Sequence, residues 1–241
     1  MTEKLSVEER FQNIEHNLEY INSRIEASAK ESGRTRGDIK LMAVTKTVEP
    51  VFINHAIDCG IDLIGENKVQ EFLSKKEYLK LENCKVHLIG HLQTNKVRQI
   101  IGQVSMIQSV DSLKLAREIE KQAQKLKITA DCLIEVNVGN EESKTGIDFS
   151  SVMPLIEEIS SMNGVCVKGL MAIPPICSER EELLKYFEKM HRLFVDIKAQ
   201  NIDNINMQIL SMGMSGDYNE AILCGANLVR IGSSIFGPRL Y

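Results

Sequence analysis

Lys46 closes the apolar run Leu41-Met42-Ala43-Val44-Thr45. A lysine amine is a useful nucleophile when its pKa is lowered, and the end of a buried strand does that by desolvation. Its natural chemistry there is a Schiff base with a carbonyl compound. A solvated loop lysine is the competing reading. Two segments near the other end of the chain bear on the choice. Leu210-Ser211-Met212-Gly213-Met214-Ser215-Gly216-Asp217 and Val229-Arg230-Ile231-Gly232-Ser233-Ser234 each set glycines and serines beside a helix start. That is the composition of an anion cradle, in which backbone N–H groups and hydroxyls face the ligand. An ordinary turn capped by Ser215, or by the serines after Gly232, needs no ligand. Arg230 stands two residues before Gly232, so strand alternation puts both on one face. A buried guanidinium stays protonated and needs an acceptor. A pyridine nitrogen would serve, and so would a carboxylate such as Glu66 or Asp111.

The elements that must position these residues follow from periodicity. Phe11, Ile14, Leu18, Ile21 and Ile25 form one apolar stripe, which predicts a helix from about Ser6 to Lys30 with a Ser6/Glu9 capping box. After Gly33 and Gly37 the pattern alternates. Strands are expected at Lys40–Thr45, Leu63–Gly65, Val86–Ile89, Met106–Ser109, Asp131–Val138, Val165–Met171, Asn206–Leu210 and Leu228–Ile231. Helices are expected between them, most clearly at Pro50–Cys59, Ser112–Leu126, Ser151–Met162 and Glu179–Gln200. Eight strands separated by helices in 241 residues predict an α/β fold, a single (β/α)8 TIM-type barrel with an extra N-terminal helix. The expected organisation is one domain over residues 1–241, with residues 1–32 packed on it. An open dinucleotide-binding sheet would carry a glycine-rich turn after its first strand. Lys46-Thr47-Val48-Glu49-Pro50 has no glycine.

Barrel geometry joins the two ends of the chain. Strand eight pairs with strand one, so Lys46 neighbours the loops after strands seven and eight, where such barrels often bind phosphate. An amine beside a phosphate cup fits a phosphorylated aldehyde, and pyridoxal phosphate is the leading candidate.

Composition narrows the function classes. Hydrophobic content of 43% and charged content of 26% are ordinary for a soluble globular protein. A net charge of −4, with five tyrosines and no tryptophan, gives no reason to expect nucleic acid. The six cysteines form no Cys-x-x-Cys pair and read as small core residues in a reducing compartment. His87 and His91 lack a His-Glu-x-x-His context, and no metal is expected. The N-terminus has no signal-peptide core, and no apolar run approaches bilayer length, so the chain reads as cytoplasmic with no membrane partner. Lys96 and Lys144 could attract anions, or be solvated loop lysines.

The motifs match a family. Ala43-Val44-Thr45-Lys46-Thr47, Gly65-Glu66-Asn67-Lys68-Val69-Gln70-Glu71 and His87-Leu88-Ile89-Gly90-His91-Leu92-Gln93-Thr94-Asn95-Lys96 come first. Ser109-Val110-Asp111-Ser112, Glu142-Ser143-Lys144-Thr145-Gly146 and Gly169-Leu170-Met171-Ala172-Ile173-Pro174 follow. Leu210-Ser211-Met212-Gly213-Met214-Ser215 and Arg230-Ile231-Gly232-Ser233-Ser234-Ile235-Phe236-Gly237 complete the set. In this order, over nearly the whole chain, they resemble the pyridoxal-phosphate homeostasis proteins. The resemblance implies an alanine-racemase-like barrel, fold type III of pyridoxal-phosphate proteins. It implies that Lys46 holds the cofactor as a Schiff base and that Ser211, Gly213, Gly232 and Ser233 hold its phosphate. Arg230 would face the ring nitrogen and Asn67 would lie beside the ring. Gln108 stands where the family pattern leads us to expect a histidine. The implied function is a carrier or buffer of pyridoxal phosphate without robust catalytic activity, serving pyridoxal-phosphate-dependent apoenzymes. The alternative is an amino-acid racemase or related enzyme. A racemase needs a second base, which alanine racemases take from a further β domain, and there is no room for one before Tyr241.

Overall fold

The computed structural model describes residues 5–141 and 145–238. Glu142, Ser143 and Lys144, from one of the matched motifs, lie outside the described residues. Eight parallel strands close on themselves: β1 (Lys40–Val44), β2 (Leu63–Glu66), β3 (Lys85–Leu88), β4 (Met106–Val110), β5 (Ala130–Asn137), β6 (Val165–Ala172), β7 (Ile205–Ser211) and β8 (Leu228–Ile231). Each pairs with the next, and β8 returns to β1 with Met42 opposite Arg230 and Ala43 opposite Ile231. The expected barrel is therefore present, with strand ends within two residues of those read from the sequence. A further two-residue strand, Ile147–Asp148, pairs with the C-terminal end of β5. It is too short to leave a periodic signal.

Helices cover the outside. They are α1 (Val7–Glu31), α2 (Pro50–Asp58), α3 (Val69–Lys75), α4 (Val97–Ile100), α5 (Leu113–Leu126), α6 (Val152–Ser160), α7 (Arg180–Ala199), α8 (Tyr218–Leu223) and α9 (Ser233–Phe236). Ser6 caps α1 through a reciprocal pair with Glu9, as its sequence suggests. Ile14, Leu18, Ile21 and Ile25 are buried along one stripe of α1. That stripe packs on α2, α8 and α9, the helices flanking the seam where β8 meets β1. Asn17 Nδ2 donates to the Ile235 carbonyl at 3.0 Å and fixes α1 to the end of the chain.

Strand alternation separates two cores. Residues such as Leu41, Ala43, Ile64, Ile134 and Val229 face outward and pack under the helices. The opposite parity fills the barrel with Met42, Leu63 and Leu228 in one cluster and Met106, Leu133 and Met171 in another, bridged by Ile209. Toward the C-terminal ends of the strands the interior becomes polar, with His87, Gln108, Glu135, Ser211 and Arg230 all buried.

Two glycines let strands approach closely. At Gly65 a Cβ would lie 2.5 Å from Met42 Sδ. At Gly169 (φ +149°) a Cβ would lie 1.8 Å from the Ile209 carbonyl oxygen, backbone that cannot yield locally. Gly169→Ala is therefore expected to cost more than about 3 kcal/mol. Urea unfolding measures it, and a loss below about 1 kcal/mol contradicts this packing.

Candidate functional site

Lys46 lies two residues beyond Val44 on the parity of Met42, the parity that faces the barrel interior. It is half-buried. Its two chain neighbours are held from the outside. Glu66, 0% exposed, ends β2 and pairs with Lys75 of α3 at 2.7 Å, and it also accepts from the Thr45 hydroxyl. Lys75 Nζ donates to the Thr45 carbonyl at 2.8 Å and meets Glu71 Oε1 at 3.1 Å. Glu71 in turn accepts from the Thr47 backbone N–H at 2.5 Å. Thr47 has φ +63°, so the chain turns sharply immediately after the lysine. Burial pushes the Glu66 carboxyl up, and the Lys75 charge opposes it. The ion cluster thus clamps the backbone on both sides of Lys46.

Across the seam, Arg230 is 3% exposed and shares the inward parity of Leu228. Its Nη1 donates to Ser211 Oγ at 2.7 Å and its Nη2 to the Ala172 carbonyl at 2.9 Å. Neither Glu66 nor Asp111 takes the arginine, because Glu66 faces outward to Lys75 and Asp111 pairs with His91 at 3.5 Å. Burial lowers the Arg230 pKa to about 10, while Asp217 and Glu135 pull it back up.

Ser211 spends its one proton on Gln108 Oε1 at 2.7 Å, and Gln108 Nε2 reaches His87 Nδ1 at 2.8 Å. His87 is kept neutral: burial first, then Lys40 and Lys85, lower its pKa to about 3. A continuous chain of buried polar groups therefore crosses the barrel from Arg230 to His87. Gln108 fits this chain because an amide can accept at one end and donate at the other.

The loops after β7 and β8 meet directly. Ser233 Oγ donates to Ser215 Oγ at 3.2 Å, and the Ser234 backbone N–H points at the same oxygen at 3.4 Å. Ser215 is thus turned toward the β8 loop, and Asp217 occupies the N-cap of α8. Gly213 has φ +92°, and a Cβ there would lie 2.6 Å from Ala221 Cβ. Its carbonyl accepts from the Arg230 backbone N–H at 3.0 Å. A Cβ on Gly232 would lie 3.2 Å from the Val44 carbonyl oxygen, which places this glycine against the last residue of β1.

Of the residues singled out from the sequence, Gly213, Gly232 and Ser233 gather at these two loops, and Lys46 lies just across the seam. Ser211 and Arg230 form a buried pair beneath them. Asn67, just past β2, has a buried Oδ1 without a hydrogen-bond partner among the described residues. Glu135 Oε2 is likewise buried and unpartnered, while Oε1 accepts from Thr145 Oγ1 at 2.5 Å. Burial raises the Glu135 pKa. Sequence reasoning passed over Glu135, although its signal was present: Leu133, Glu135 and Asn137 interleave with apolar Cys132, Ile134 and Val136. A polar residue at alternate positions of a buried strand marks an inner face with something polar to meet.

Residues 10–239 match the model of the alanine racemase N-terminal domain family. A pyridoxal phosphate homeostasis protein of Aquifex aeolicus is 42% identical over 224 residues, covering 93% of this chain and 97% of its own. One from Haemophilus influenzae is 38% identical, with 95% and 97% covered. The chain is a member of the pyridoxal phosphate homeostasis family. PipY of Synechococcus elongatus, solved with PLP bound, superposes with a TM-score of 0.80 at 27% identity, covering 93% of this chain and 100% of that one. For this family member, the serine-lined junction of the last two loops fits the anionic end of a ligand, and the orphaned Asn67 and Glu135 oxygens call for hydrogen-bond donors from its polar body.

Two outcomes follow from the buried groups. Lys75→Met leaves Glu66 without its counter-charge and should cost about 3–5 kcal/mol in urea unfolding. Lys75→Met/Glu66→Leu should recover part of that loss, and a single-variant loss under about 1 kcal/mol contradicts the clamp. Unfolded His87 takes up a proton below about pH 6.5, while the folded residue resists until about pH 3. The unfolded state binds more protons in that window, so stability falls as pH drops through it. Between about pH 7 and pH 5 this one group costs about 2 kcal/mol. Urea titrations of wild type and His87→Gln at both pH values measure the difference, and equal losses refute it.

Proposed function

We propose that this chain holds pyridoxal 5'-phosphate through a Schiff base to Lys46 and acts as its carrier in intracellular homeostasis. The observation that carries this reading is the β8–β1 seam. It sets an inward lysine beside the Gly232–Ser234 turn, with a buried arginine on the same strand. PipY with PLP bound and the curated relatives support it. The bound cofactor supplies a reactive aldehyde that condenses with an amine. The protein's residues do the rest.

Lys46 offers the amine, and the clamp on Thr45 and Thr47 limits where that amine reaches. Ser233, Ser215, Gly232 and Gly213 take the phosphate through hydroxyls and N–H groups of the joined loops. Ser211 fits this reading as a brace for Arg230, since its proton is already committed to Gln108. Arg230 stays charged and can only donate, so it disfavours a proton on the ring nitrogen. An unprotonated ring is a weak electron sink. Asn67 brings its free amide oxygen to the ring side of the site.

We place the chain in the cytoplasm, with pyridoxal-phosphate-dependent apoenzymes as recipients. No helix among the described residues is long and apolar enough to cross a membrane. Titration of purified protein with the cofactor should give a visible absorption band that is absent in Lys46→Ala. A band of equal strength in the variant overturns the lysine assignment. Steady turnover of free amino acids by the loaded protein would favour the racemase reading.

A further inference from the structure

Far from the cofactor loops, α1 and α2 bring three metal-ligand side chains together. Glu15 projects from α1, His55 from α2, and Cys59 sits at the C-cap of α2. Their donor atoms all lie within 4.8 Å of one another. His55 and Cys59 are one helical turn apart, and the Cys59 backbone N–H donates to the His55 carbonyl at 3.0 Å, so the spacing is truly helical. A histidine and a cysteine at i and i+4 share one face and can grip a single ion. The imidazole is held in place. Phe11 stacks on it with centroids 4.0 Å apart and planes 13° from parallel. Its Nε2 points at Glu15 Oε1, 2.9 Å away. The Phe11 ring also packs edge-on against Phe52, 5.8 Å between centroids, which ties that stack to the core.

We propose that Glu15, His55 and Cys59 form a zinc site that staples the N-terminal helix to the barrel. Thiolate, imidazole and carboxylate are the three donor types zinc takes, at about 2.3, 2.0 and 2.1 Å. Tetrahedral donors at those lengths stand roughly 3.3–3.7 Å apart. The His55–Glu15 pair opens slightly from 2.9 Å to reach that spacing, and the Cys59 thiol, within 4.8 Å of both, settles to it by side-chain rotation. Three protein ligands leave a fourth position for water. Binding forms a zinc–sulfur bond and releases the Cys59 thiol proton to solvent, with no electron transferred. Zinc would link α1 to α2 beside the seam that α1 covers, so it should raise the thermal midpoint.

The test uses the full-length, cofactor-loaded protein with zinc chloride and cobalt(II) chloride as probes. Competition against a chromophoric chelator should show one zinc per chain, and cobalt should give a thiolate charge-transfer band. Cys59→Ser and His55→Gln should each remove the cobalt band and weaken zinc at least about tenfold, no less than the loss of an outer-shell partner costs a metal site. The visible band of the cofactor should be unchanged, since none of the three residues belongs to that site. Should either variant fold poorly, Glu15→Gln on the exposed face of α1 must still weaken zinc and lower the zinc-dependent rise in midpoint. Unchanged zinc affinity in the variants, or cobalt binding without a thiolate band, overturns the proposal.

Discussion

The candidate site depends on one pairing, that of the last strand with the first. Leu228–Ile231 and Lys40–Ala43 run in parallel register, and this contact joins residues that are almost 190 positions apart. Closure removes the exposed edges that an open sheet would leave. It also sets Gly232, whose missing side chain lets the loop approach, against Val44 at the end of β1, two residues before Lys46. The α1 helix reinforces the same place from outside, through its apolar stripe and the Asn17 bond to Ile235.

Inside the barrel the energetic problem is a buried arginine. Arg230 cannot shed its charge at neutral pH and meets no carboxylate within ion-pair distance among the described residues. The structure answers with neutral acceptors: a serine hydroxyl and a backbone carbonyl. Ser211 donates its hydroxyl hydrogen bond to Gln108, and Gln108 ends on a neutral His87. Each group in this chain orients the next, so the guanidinium is held in one direction. The Lys75–Glu66–Glu71 cluster does the parallel task outside the barrel, fixing the backbone around Lys46. A buried ion pair adds little net stability, and its value here lies in positioning.

Much of this was legible in the sequence, for identifiable reasons. The strands are short β-branched runs bounded by glycine and polar turns, so their number and order could be read, and eight implied closure. The Ser6/Glu9 capping box fixed the start of α1 to one residue. The loop segments after β7 and β8 announced themselves by glycine and serine. The short helices α3 and α4 left too few turns for periodicity to register, while α8 and α9 were expected only through the glycine and serine turns that precede them. The roles of Glu66 and Ser211 were hidden for another reason. Which face of a strand a polar residue takes depends on register, and Glu66 turned outward to a lysine nine residues on. Ser215 looked like a helix cap and instead bridges to Ser233. Glu15, His55 and Cys59 come together only once α1 docks, because 40 residues separate Glu15 from His55.

The central claim is that the amine of Lys46 carries the cofactor at this seam. Borohydride reduction of the loaded protein, followed by proteolysis and mass mapping of peptides, tests it most directly. The account predicts a single phosphopyridoxyl adduct on the peptide containing Lys46. An adduct on another lysine, or none from protein saturated with the cofactor, would contradict it.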